Sequence, residues 1–161
     1  MIALANHIKP GVFIDIGANI GVYTLSLARK TDIPVIHAYE PDSDNNLKLR
    51  TNIYLNAFSS RVVVHDEALS DEDGTAELLV ARSSSYLNMG KSSLTAQEGV
   101  EYDKVSINVS RLDSVTNFIN QTILVKIDIE GHELRAISGM EGLLRNNKVL
   151  MQVEIFRKSY E

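Results

Sequence analysis

The 161-residue chain is 44% hydrophobic and 23% charged, enough for one ordinary core and unlike a disordered segment, and its sixteen basic against twenty-one acidic side chains leave a net charge of −5 that disfavours DNA or RNA as a partner. The absence of cysteine excludes disulfides, thiolate metal sites and cysteine nucleophiles. Residues 1–10 contain no basic region followed by an apolar run, and no later stretch reaches the roughly 18 apolar residues of a membrane span, so a single soluble, cytoplasmic domain with no membrane partner is expected over residues 1–161.

Short runs rich in Val and Ile alternate with longer amphipathic stretches, the pattern of parallel strands buried under helices on both faces. The first predicted strand is Val12–Ile16. Val22, Leu25 and Ala28 follow at helical spacing, and the breaker sequence Lys30-Thr31-Asp32-Ile33-Pro34 ends that helix. Val35–Tyr39 is the second strand, after which Pro41 with Asp42 or Ser43 offers a helix start and Leu47, Ile53, Tyr54 and Ala57 an apolar face. Arg61–His65 reads as a third strand, and Gly74–Val80 and Lys104–Val109 as an antiparallel addition. Between those two, the polar stretch from Arg82 to Asp103 reads as a long loop of the kind that serves as a lid or binding loop. Ile123–Asp128 and Val149–Ile155 complete the set, and the expected fold is a three-layer α/β sheet.

The turn after the first strand runs Asp-x-Gly-x-Asn-x-Gly, with Asp15, Gly17, Asn19 and Gly21 opening a helix. Glycines there let the backbone approach a ligand and pack the helix against the sheet, while the helix start presents free N–H groups to an anionic group. Glu40 stands directly after the second strand, where an acidic side chain accepts hydrogen bonds from both hydroxyls of a ribose. A dinucleotide site wants Gly-x-Gly-x-x-Gly, but here Asn19 and Ile20 replace the glycines that would admit a pyrophosphate. An adenosine ligand without pyrophosphate fits the turn better.

Four blocks in order, Phe13-Ile14-Asp15-Ile16-Gly17-Ala18-Asn19-Ile20-Gly21-Val22-Tyr23-Thr24, Ala38-Tyr39-Glu40-Pro41, Ala68-Leu69-Ser70 with Asp73-Gly74, and Lys126-Ile127-Asp128-Ile129-Glu130-Gly131-His132-Glu133, resemble the FkbM family of S-adenosylmethionine-dependent methyltransferases. The resemblance implies a Rossmann-like class I methyltransferase sheet with S-adenosyl-L-methionine as cofactor. It maps Asp15, Gly17, Asn19 and Gly21 onto the cofactor turn, Glu40 onto the ribose contact, and Asp66, Glu67 and Ala68 onto the adenine side. A complete fold of this class resembles a seven-stranded sheet ending in an antiparallel hairpin, which this chain, stopping at Glu161, is expected to lack. The flank of Val149–Ile155 is then an expected surface for association, including a homo-oligomer.

The fourth block places Asp128, Glu130, His132 and Glu133 where a strand gives way to a helix, at the end of the sheet where ligands of open α/β folds bind. Asp128 is expected to position the acceptor or remove its proton, with Glu130 and His132 as further catalytic candidates. Helix capping is the competing reading for the acids, and the one preferred for Glu133. Ala136 stands where a zinc-protease helix would carry its second histidine, and Asp128 with Glu130 offers too few oxygen ligands to assert a divalent metal, so no metal site is expected. Glu154, within an apolar run, points either into the crevice or toward a buried partner. The expected activity is methyl transfer from S-adenosylmethionine to a hydroxyl of a small molecule or sugar. The alternatives are an inactive S-adenosylmethionine-binding module and a dinucleotide-dependent oxidoreductase.

Overall fold

Val12–Ile16, buried along its whole length, forms β1 at the centre of a parallel sheet. A computed structural model of the chain describes residues 1–81, 92–93 and 102–155. β2 (Val35–Tyr39), β3 (Val62–His65), β8 (Thr122–Ile127) and β9 (Lys148–Val153) join β1 in the order β3-β2-β1-β8-β9, every neighbouring pair parallel. Among the described residues β9 is an edge strand, with Leu150 and Met151 partly exposed. The remaining strands, β4 (Ala68–Leu69), β5 (Gly74–Ala81), β6 (Ser92–Ser93) and β7 (Tyr102–Ser110), form a second sheet in the order β4-β7-β5-β6. Its main pairing is the antiparallel β5–β7 ladder, from Gly74 opposite Val109 to Ala81 opposite Tyr102. The strand bounds predicted from sequence hold to within about two residues, the ordinary uncertainty of element ends.

The central sheet is covered on both faces because its strands alternate between two apolar sets. On one face Phe13, Ile36, Ala38 and Leu124 pack with α1 (Ile2–Ile8), α2 (Val22–Lys30) and α3 (Ser43–Leu55). On the other, Val12, Ile14, Ile16, Tyr39, Ile123, Val125 and Ile127 meet Leu112 of α4 (Leu112–Val115), Ala136 of α5 (Glu133–Ser138) and Leu143 of α6 (Glu141–Asn146). These short helices and α1 have no strong period in the sequence; tertiary packing decides them. A smaller cluster of Ala68, Leu78, Ile107 and Val109 packs strands β4, β5 and β7 of the second sheet together.

α3 starts as expected: the Asp42 carboxylate accepts from the N–H groups of Asp44 and Asn45, the ordinary N-cap arrangement. Of the expected face only Ile53 is buried, and Ala57 is exposed. Leu47 and Tyr54 are exposed, whereas Leu49 and Ile53 reach the core and Asn45 and Asn46 are buried beside them. The Asn46 amide explains the substitution of a polar residue for an apolar one, because it donates to the backbone carbonyls of Glu40 and His65 and ties the ends of β2 and β3 together. Val22 on α2 is likewise exposed, and Thr24, Leu27 and Ala28 carry the buried face. The predicted loop from Arg82 to Asp103 includes β6 and the first residues of β7; the rest lies outside the described residues. No helix among the described residues is long and apolar enough to cross a membrane.

The two faces of α3 give a direct check. Leu49→Ala is expected to lower unfolding free energy by about 2–5 kcal/mol through the cavity it leaves, and Leu47→Ala to change it by less than about 0.5 kcal/mol, both read by urea denaturation.

Candidate functional site

The turn after β1 is shaped by close approach. Gly17 has φ 76°, and a Cβ there would stand 2.1 Å from the Asp128 carbonyl oxygen, so only glycine lets the ends of β1 and β8 meet. Asn19 is also left-handed at φ 52°, which asparagine tolerates, and its side chain accepts from the N–H of Ile20. Gly21, at φ 97°, is the N-cap of α2, and a Cβ there would strike Leu49. Both glycines are required by the packing of the turn, and Gly17 also lines the cleft described below.

Asp15 is fully buried behind this turn. α2 has no acidic residue in its first turn and no side-chain cap from its own N-cap. Asp15 supplies both functions from the strand: one carboxylate oxygen accepts from the Thr24 amide at 3.0 Å and from the Thr24 hydroxyl at 2.7 Å. Among the described residues the other oxygen has no hydrogen-bond partner, and it faces the Lys126 ammonium at 3.6 Å, ion-pair distance but beyond a hydrogen bond. Burial pushes the Asp15 carboxyl up, while Lys126 and Thr24 oppose that shift.

Lys126 was not singled out in the sequence, although a lone lysine in the apolar run from Ile123 to Ile127 is a signal. It is only 4% exposed. Its ammonium donates to the Gly17 carbonyl at 2.9 Å, stands 3.4 Å from the Asp128 carboxylate, and lies 5.2 Å from the centre of the Tyr23 ring. The parallel register sets Asp15 opposite Lys126, so one cation joins the carboxylate behind the turn, the turn itself and the carboxylate at the end of β8.

These groups border a cleft of about 780 Å³, open to solvent, at the carboxyl ends of β1, β2 and β8. Gly17, Asn19 and Glu40 line it together with Asp128, Glu130 and His132 and with Glu67, Ala68 and Leu69. Asp15 and Gly21 support the turn from behind and are not among the lining residues. Asp66 is exposed and borders a separate surface groove with Asp42 and Asn46, so it does not share the cleft with Glu67 and Ala68. Glu154 lies just past β9, exposed and away from the cleft, with its amide donating to the Ile127 carbonyl.

Glu40 is 6% exposed and accepts one backbone N–H on each oxygen, from Asn19 at 2.7 Å and from Asp42 at 3.0 Å. It thereby fixes the turn to the end of β2. Burial pushes its carboxyl up from 4.5 to about 7, against the opposing effect of the two N–H donors. Beside it Tyr39, 1% exposed and with no hydrogen-bond partner for its hydroxyl among the described residues, stacks on His65 at 4.2 Å between ring centres. His65 in turn lies 3.0 Å from the ring nitrogen of His37, whose pKa burial and His65 hold down at about 4.

Beyond β8, Glu130 and Gly131 are both left-handed, at φ 45° and 95°, and turn the chain sharply into α5. Glu133, buried in the first turn of α5, accepts from the Gly131 amide, which makes it a staple of this turn in agreement with its expected helix-start role. His132 is half-buried, and burial lowers its pKa. Its Nε2 lies 3.1 Å from the Ser70 hydroxyl, a residue that carried no side-chain role in the sequence reading. Among the described residues no group of three or more His, Asp or Glu is arranged to hold a metal ion.

The model of the methyltransferase FkbM domain matches residues 15–161. The chain belongs to the FkbM methyltransferase family. A crystal structure of a methyltransferase FkbM from Methylobacillus flagellatus KT superposes with a TM-score of 0.65 at 21% identity, over 91% of this chain and 33% of that one, and so shares the Rossmann-like fold. The chain thus spans about a third of that protein's length. No curated protein matches it.

Two outcomes test the electrostatics. Lys126→Met leaves Asp15 uncompensated and is expected to cost about 3–5 kcal/mol of stability in urea at pH 7, with Asp15→Asn in the same chain restoring part of the loss. For Glu40 the folded chain binds the proton more tightly than the unfolded one, so its contribution is full below 4.5 and is lost as pH rises through about 7. Wild type should therefore lose about 2 kcal/mol from this group between mildly acidic and mildly alkaline pH, a slope that Glu40→Gln removes in denaturation curves across that range.

Proposed function

We propose that this chain transfers a methyl group from S-adenosylmethionine to a hydroxyl of a small molecule or sugar. The observation that carries this reading is one cleft lined both by Gly17, Asn19 and Glu40 and by Asp128, Glu130 and His132. A cofactor part and an acceptor part thus share a single space, as direct transfer requires.

The donor set fits the cofactor. The described lining carries the carboxylates of Glu40, Glu67, Asp128 and Glu130 and no lysine or arginine, which suits a cationic sulfonium. Each oxygen of Glu40 accepts one backbone N–H and keeps acceptor capacity for a ribose hydroxyl. When bound, S-adenosylmethionine supplies an activated methyl group. The protein's part is to align the acceptor, exclude water and receive the hydroxyl proton. Asp128, held by the Lys126 ammonium at the mouth of the cleft, orients the acceptor hydroxyl. The turn fixed by Glu40 and Lys126 keeps the cofactor part at a set distance from it.

Calorimetry with S-adenosylmethionine and S-adenosylhomocysteine tests the first half: both should bind, and Glu40→Ala should weaken each at least about tenfold, the loss of one good polar contact. No detectable heat from either, or tight binding of NADH instead, overturns the reading. Asp128→Asn should keep S-adenosylhomocysteine affinity within a few fold while cutting turnover on a responsive alcohol or sugar by about 10–10²-fold, the loss of one charged hydrogen bond to the acceptor.

A further inference from the structure

We propose that Ser70 is a positioning residue that holds the His132 imidazole as its Nε2–H tautomer, leaving Nδ1 to accept the proton of the acceptor hydroxyl in the cleft. The assignment of that proton to an acceptor rests on the methyl-transfer reading; the tautomer itself does not.

Asp71 fixes the direction of the Ser70 hydroxyl. Its carboxylate accepts the Ser70 hydroxyl proton at 3.0 Å and pairs with Arg135 at 3.6 Å. These contacts, the Ser70 bond first, hold the carboxyl below the usual range, so at neutral pH Asp71 is an acceptor only. A hydroxyl has one proton. With that proton directed at Asp71, the Ser70 oxygen presents a lone pair to Nε2 of His132, 3.1 Å away. Nε2 must then carry the hydrogen, and in a neutral imidazole the lone pair falls on Nδ1. Burial, with Arg135 acting in the same direction against Asp71 and Glu133, lowers the affinity of the ring for a second proton and keeps it neutral at neutral pH.

Ser70 is built to hold this position. It is 3% exposed, and its amide donates to the Ser110 carbonyl at 2.9 Å. Its own carbonyl lies against Gly139 at the end of α5, where a Cβ would stand 1.8 Å away. His132 is the N-cap of α5, so the same helix fixes both partners, and His132 lines the cleft beside Asp128. In the transfer step the acceptor O–H bond breaks with its proton passing to Nδ1, and an O–CH₃ bond forms with the oxygen's electron pair. The S–CH₃ bond breaks with its pair returned to sulfur, a neutral thioether is left, and the imidazolium then releases its proton to water.

Long-range ¹H–¹⁵N spectra of the ¹⁵N-labelled chain, with the His132 signals identified by their loss in His132→Gln, read the tautomer directly. Wild type and Ser70→Thr should show Nε2–H, and Ser70→Ala a mixture of the two forms. An Nδ1–H form in wild type, or an unchanged tautomer in Ser70→Ala, overturns the proposal. Diethylpyrocarbonate, which acylates an accessible lone-pair nitrogen, should modify wild-type His132; a His132 untouched under conditions that modify the exposed His7 overturns the open Nδ1. Neither measurement needs a bound cofactor, so a failure to bind S-adenosylhomocysteine would count against the methyltransferase reading alone.

Discussion

A single buried ammonium organises the working end of this molecule. Lys126 lies in the middle of an apolar sheet, and it is tolerated there because Asp15, the Gly17 carbonyl and Asp128 all face it. A buried charge without partners costs several kcal/mol, so the four groups are mutually dependent. The glycine turn after β1 keeps its shape because Lys126 holds the Gly17 carbonyl, and Asp128 stands at the cleft because the same ammonium draws it in. Asp15 completes the arrangement by capping α2 with one oxygen and compensating Lys126 with the other. Sheet, helix start and candidate acceptor carboxylate are thereby joined at one point.

Close backbone approach is the second constraint. At Gly17 the turn touches the carbonyl of Asp128, and at Gly139 the end of α5 touches the carbonyl of Ser70. Each contact admits no side chain, and each brings together elements on which the cleft depends: β1 with β8, and α5 with the segment after β4. Among the described residues the site is therefore assembled from segments far apart in the chain and held by close backbone contacts.

Much of the fold was legible because it rests on local patterns. The apolar runs at Val12–Ile16, Val35–Tyr39 and Ile123–Ile127 read as buried strands, and the structure places them side by side. The helix faces were read less well. Leu47 and Tyr54 fit an apolar stripe, yet the side facing the sheet is that of Leu49, Ile53 and the buried Asn46, whose value lies in two carbonyls contributed by β2 and β3. Hydrophobic period alone cannot see a buried amide that is satisfied from outside its own helix. Asp66 and Glu67 show the same limit in the site: adjacent in sequence, they border different grooves because the chain turns between β3 and β4.

The sequence by itself determined the α/β class, the glycine turn, the acid after the second strand and the ionisable cluster after β8, since each is a matter of residue type at a fixed local spacing. Tertiary structure alone decided that Asp15 and Gly21 support the cleft from behind, that Lys126 is its central charge, and that Ser70 meets His132. Those outcomes depend on strand register and on contacts between residues as many as 109 positions apart, as between Lys126 and Gly17. A one-residue change in register would turn Lys126 to the opposite face of the sheet, and no local spacing encodes which partner strand it meets.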